Sequence, residues 1–135
     1  MLLTRECDYA MRIVRALADG MKKHVAAICH DELMPVQYAY KIMKKLERAG
    51  LVRSVRGREG GYVLQRSVQE LTPYDVIVAV EERPLVTDCL RSDAQCPRNT
   101  GDAPCSLHGE FARVQAMLEV ELKRWTFHEL LNEKN

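Results

Sequence analysis

The sequence predicts a mainly α fold with a small β-hairpin wing: a winged helix-turn-helix domain followed by a long C-terminal helix suited to dimerisation. Three observations predict it. Two helical segments meet at a tight turn around Met34-Pro35. Two alternating segments, Leu51–Val55 and Tyr62–Leu64, flank a Gly-rich tip. Near the C-terminus an apolar stripe repeats every three or four residues for about five turns.

Each element has its own local reason. Thr4 is a suitable N-cap, with Glu6 and Asp8 in the first turn where the helix dipole favours acids. Tyr9, Ile13, Ala16 and Leu17 then recur at helical spacing until Asp19-Gly20 ends the run. The apolar run Val25–Ile28 closes in the polar group His30-Asp31-Glu32. Pro35 is expected at the first position of a third helix, which turns Tyr38, Ala39, Ile42, Met43 and Leu46 inward and stops at Gly50. Thr72-Pro73-Tyr74-Asp75 starts a fourth helix whose run Val76–Val80 is expected beneath the winged module. Thr126 and Glu129 form a capping box for a short last helix.

Charge separates along the chain. Residues 1–66 carry 13 Lys/Arg against 7 Asp/Glu (+6), and residues 67–135 carry 7 against 12 (−5). From Pro35 to Arg58 there are seven basic residues and one acid, Glu47. Such a basic stretch suits DNA phosphates, and the amide of Gln37 can pair with adenine edges. The residues expected to face double-stranded DNA are Val36, Gln37, Tyr40, Lys41, Lys44 and Lys45 on the third helix, with Arg53, Arg56 and Arg58 on the wing. An enzyme is not expected. The chain has no Walker A or GxGxxG spacing, no C-x-x-C pair and no nucleophile elbow. Pro104–Glu110 resembles a zinc deaminase signature only in reversed order and without its second cysteine. No secretory h-region and no apolar run of about 18 residues is present, so a cytoplasmic protein without membrane contact is expected.

The stripe Leu107, Phe111, Val114, Leu118, Leu122 and Trp125 exceeds what an already closed module can bury. Pairing with a second copy is the economical answer, and Phe111, Val114, Leu118, Leu122 and Trp125 are its expected interface.

Between the fourth helix and this stripe lies Cys89-LRSDAQ-Cys96-PRNTGDAP-Cys105-SL-His108, rich in turn-forming residues and without periodicity. Thiolates and imidazole are ligands for iron–sulfur clusters and for zinc. Thiol redox chemistry without metal is the third use of such a loop. Cys7 and Cys29 fall in helices and are expected as small buried residues. The chain thus divides into 1–82, a winged helix-turn-helix domain, 83–106, a cysteine loop, and 107–135, the dimerisation helix and a short C-terminal helix.

Leu3-Thr4, Asp8-Tyr9-Ala10, Met34-Pro35-Val36-Gln37-Tyr38, the run Lys45–Gly57, Gly60-Gly61-Tyr62 and Leu71-Thr72 carry a family resemblance across nearly the whole chain. The chain resembles the Rrf-two (Rrf2) family of bacterial winged-helix transcription regulators. The resemblance implies a homodimer, often a repressor, that binds a palindromic operator through the third helix and the wing. Its IscR-like and NsrR-like members hold a 2Fe–2S or 4Fe–4S cluster in the loop before the long helix, and an exposed cluster can be lost on purification. Carried over by position, the thiol ligands are Cys89, Cys96 and Cys105. The fourth is His108, as in IscR-like members, or Asp8 from the partner subunit, as in NsrR-like ones. The gaps of six and eight residues between the cysteines are longer than those members use.

Overall fold

A computed structural model describes residues 3–82 and 84–133. Six helices are present among them: α1 (Arg5–Ala16), α2 (Val25–Asp31), α3 (Val36–Arg48), α4 (Pro73–Val80), α5 (Ser106–Arg124) and α6 (Phe127–Asn132). Strands β1 (Val52–Val55) and β2 (Gly61–Leu64) pair antiparallel behind α3, and a 3-10 turn spans Asp88–Leu90. The mainly helical architecture with one hairpin is the one expected.

Helices α1, α3 and α4 enclose the core. Ile13, Val14, Leu17, Ile42, Met43, Leu46, Val76 and Ile77 are all fully buried there. Truncating any of the larger ones would cost about 2–5 kcal/mol through lost transfer energy and the cavity left behind. The caps follow the local sequence. Thr4 Oγ1 accepts from the Cys7 amide at 3.4 Å, and Thr72 and Thr126 each complete a capping box, with Asp75 and Glu129 respectively. Gly50 follows α3 with φ +75°, a left-handed conformation that glycine adopts without steric penalty. Pro35 differs by one place from expectation. It is the N-cap of α3, in extended conformation, so the helix opens at Val36. Leu33 precedes it at φ +52°, the only described residue other than glycine with positive φ, and makes the tight corner between α2 and α3.

The hairpin runs in register from Val52↔Leu64 to Val55↔Gly61. A third segment joins its outer edge. Lys23 and Tyr62 exchange both backbone hydrogen bonds, at 3.0 and 2.8 Å, and so fasten the wing to the chain entering α2. At the other end, α6 returns to the winged module. The Phe127 amide donates to the Leu71 carbonyl at 2.8 Å, the His128 amide donates to the Val68 carbonyl at 2.9 Å, and the Phe127 ring is buried in the core.

Candidate nucleic-acid interface and cysteine loop

Helix α3 buries Ala39, Ile42, Met43 and Leu46, which leaves Val36, Gln37, Tyr40, Lys41 and Lys44 exposed on the side away from the core. Arg48 lies on the same side one turn beyond Lys44, and the sequence reading passed over it because it sits beside the helix end. Lys45 is placed differently from expectation. Its ammonium meets Glu6 at 2.5 Å and donates to the Val80 carbonyl at 2.9 Å, so it turns toward α1 and α4 and is only partly exposed. Lys41 also pairs with Glu6 while remaining largely in solvent. Together the two ammonium groups hold the Glu6 carboxyl below the usual carboxylate range.

The wing carries Arg53, Arg56 and Arg58, all exposed. Glu47, the one acid of the basic stretch, is exposed but engaged by β1. Its Oε1 accepts from both the amide and the hydroxyl of Ser54, at 2.9 and 2.8 Å, and these bonds hold its carboxyl below the usual range. The last turn of α3 is thereby tied to β1. The contact links the wing to the helix and engages the one negative charge of the stretch in hydrogen bonds.

Around the cysteines, the described residues of the loop carry short-range bonds. Arg91 pairs with Asp93 at 2.8 Å, and Asn99 Oδ1 accepts from the Cys105 amide at 2.9 Å. Cys89 is half-buried in the 3-10 turn, Cys96 is exposed, Cys105 is the N-cap of α5, and His108 is half-buried in the first turn of α5. All five cysteines are free thiols. Cys89 and Cys96 line one shallow hollow with Asp88, Arg91 and Gln95. Among the described residues no three His, Cys, Asp or Glu side chains stand close enough to hold a metal ion, so the expected ligand set is not drawn together. The physical reason is that, among the described residues, no hydrogen bond or ion pair joins the segment of Cys89 to that of Cys105. Asp8 is on the exposed side of α1, paired with Arg12 at 3.1 Å and bordering a groove with Leu130 and Leu131. Cys7 and Cys29 are buried, and burial pushes the Cys29 thiol up.

Gln115 is the buried polar residue that the sequence reading missed. Its Oε1 accepts from the Val86 amide at 2.9 Å, while its Nε2 donates to the Pro84 carbonyl at 3.1 Å and to Glu119 at 2.9 Å. One side chain thus imitates a neighbouring strand and clips the incoming arm of the cysteine loop to α5. Its position, four residues after Phe111 and three before Leu118, is an inward-facing one that hydrophobicity alone overlooks.

The apolar stripe of α5 divides. Leu118 and Leu122 are half-buried, Leu122 against the core of its own chain, and Lys123 stacks over the Tyr74 ring of α4 at 4.1 Å. Phe111, Val114 and Trp125 remain exposed at 41, 38 and 39%, and Leu107, Met117 and Val120 are more exposed still. Among the described residues, no helix is long and apolar enough to cross a membrane.

The family model described as an iron-dependent transcriptional regulator, Rrf2, matches residues 3–133. The chain belongs to the Rrf2 family. It is 30% identical over 137 residues to the HTH-type transcriptional regulator IscR of Vibrio atlanticus, covering 98% of this chain and 76% of that one. It is 33% identical over 100 residues to protein aau3 of Rhizobium meliloti, a match that takes in 72% of this chain and 65% of that relative. Among solved structures, CymR, the global cysteine regulator of B. subtilis, superposes with a TM-score of 0.77 at 21% identity, over 98% of this chain and 97% of that one. The Rrf2 chain is therefore a DNA-binding transcription regulator with the winged-helix fold of its family, and not an enzyme.

Proposed function

We propose that this Rrf2 protein is a cytoplasmic homodimeric repressor whose affinity for a palindromic operator is controlled by an iron–sulfur cluster in the loop 83–106. The observation that carries this reading is placement. A loop with three free thiols joins α4, the floor of the winged module, to α5, the helix with uncovered apolar surface, and Gln115 clips the loop to α5. In this reading residues 1–82 bind DNA and residues 107–135 pair the subunits through Phe111, Val114 and Trp125, with Leu107, Met117 and Val120 alongside and the half-buried Leu118 at the margin, while Leu122 serves the core of its own chain.

The loop's donor chemistry fits a cluster. Cys89, Cys96 and Cys105 are unpaired thiols on one segment whose own bonds are few, and His108 follows three residues on. These residues would hold the group, with His108 or the Asp8 carboxylate as fourth ligand. Bound there, a cluster would supply a cross-link sensitive to redox state and nitric oxide. The chain's own part is mechanical. Gln115 passes the position of the loop arm to α5, Thr4 Oγ1 donates to Glu81 at 2.5 Å where α4 meets the loop, and Lys45 holds α3 to the same end of α4 through the Val80 carbonyl. A change in the loop therefore reaches the helix that meets DNA through a short series of packed, bonded elements. It can shift operator affinity only by the difference in free energy between the two arrangements. His108→Ala and Asp8→Ala, compared for retention of visible absorption, separate the two candidate fourth ligands.

One observation favours a second reading, a cluster-free regulator with zinc or a thiol pair in the same loop. Cys89 and Cys96 border one hollow, which suits a thiol pair, while among the described residues no three donors are placed to hold a metal ion.

For the DNA face, Lys44→Ala is expected to weaken binding to operator and random duplex alike and to reduce the slope of log K against log salt by about 0.9. Gln37→Ala is expected to cost about 1–3 kcal/mol on operator and little on random DNA. Fluorescence anisotropy with both duplexes across a salt series checks this pair. Equal losses for Gln37→Ala on the two duplexes would remove it from base readout.

A further inference from the structure

We infer that Glu6 is a built-in competitor for DNA phosphate: its carboxylate occupies two lysines of α3 and so lowers the protein's affinity for DNA of any sequence. The inference rests on the reading of α3 as the helix that meets DNA. Lys41 and Lys45 are one turn apart on α3, and each pairs with a different oxygen of the same carboxylate. Glu6 is tucked in, with its side chain 21% exposed, while Lys41 reaches outward at 59%. This is the geometry in which a carboxylate stands where a phosphate would otherwise take the ammonium. Both anions offer oxygens to cations spaced one helical turn apart.

The contact does not depend on these lysines for its acid. Glu6 lies in the first turn of α1, where the helix dipole already favours a negative charge. Nor does α3 need Glu6 to stay in place, since Lys45 keeps its bond to the Val80 carbonyl and the apolar face of α3 is fully buried. The consequence is electrostatic. Before a phosphate can use Lys41, Glu6 must release it, and the released carboxylate then faces the DNA backbone.

The test is Glu6→Gln in the full chain, read by fluorescence anisotropy on a random-sequence duplex over a series of salt concentrations. The substitution preserves shape and helix propensity and removes the charge. The expected result is roughly five- to tenfold tighter binding near 0.1 M salt, with a slope of log K against log salt steeper by about 0.9 for the freed Lys41. The double variant Glu6→Gln with Lys41→Gln should return toward wild-type affinity. Unchanged or weaker binding by a Glu6→Gln protein with wild-type circular dichroism would overturn the inference. If Glu6→Gln does not fold, Lys41→Gln alone decides. A change under twofold on random DNA supports a lysine already neutralised, and any larger loss contradicts it. Failure of the α3 reading itself is separate, because Lys44→Ala would then leave DNA binding untouched.

Discussion

Gly61→Ala is expected to lower stability by about 1–3 kcal/mol and operator affinity by at least about tenfold. A Cβ at this position would lie 2.5 Å from the Lys23 carbonyl oxygen, 2.8 Å from its carbon and 3.2 Å from the His24 nitrogen. All three neighbours are backbone, so no side chain can swing aside. The methyl group would force apart the bridge between Lys23 and Tyr62, which holds the wing to the chain entering α2. The wing would then lose its angle to α3, and Arg53, Arg56 and Arg58 would lose their common position beside it. Gly101→Ala is the control, since nothing lies within 4 Å of a Cβ there. Urea unfolding and operator anisotropy on both variants check the expectation. Equal stability of the two would show that the bridge does not constrain the wing.

Gln115→Leu is expected to release the arm of the cysteine loop. Leucine fills the same volume but leaves the half-buried Val86 amide and Pro84 carbonyl without their partner, a loss of about 0.5–1.5 kcal/mol for each bond. Water will enter to satisfy them, so the change should appear as local opening rather than global unfolding. Hydrogen exchange of the Val86 amide should accelerate by about tenfold or more, with the exchange of α1 and α3 unchanged. Operator affinity should also lose most of its dependence on the state of the loop. Unaltered protection at Val86 would mean that the clip contributes nothing to the loop's position.

Features written in adjacent residues were legible in the sequence. The capping boxes at Thr72 and Thr126, the stop at Gly50, the hairpin and the inward face of α3, apart from Tyr38, which is 40% exposed, all follow from patterns within a few positions. Contacts between distant residues were not. Glu6 and Lys45 are 39 positions apart, and no local pattern told that Lys45 would serve α1 and α4 while Lys44 stayed free in solvent. The pattern Gly60-Gly61-Tyr62 was recognisable, yet its cause is the close passage of Lys23. The stripe on α5 was read as one face. Its division arises because α4 and the core take Leu122 and leave Phe111, Val114 and Trp125 uncovered, which depends on how the helix is rolled against the domain. The cysteine loop was legible in composition only, because its donors are held by short-range bonds that do not bring them together.

Control by an iron–sulfur cluster in the cysteine loop is tested most directly by purifying the protein without oxygen and measuring visible absorption together with iron and acid-labile sulfide. The expected result is a coloured protein containing iron and sulfide together, with the colour lost in the Cys105→Ala variant. A colourless protein that carries zinc or no metal, with Cys89, Cys96 and Cys105 free to react, would contradict it.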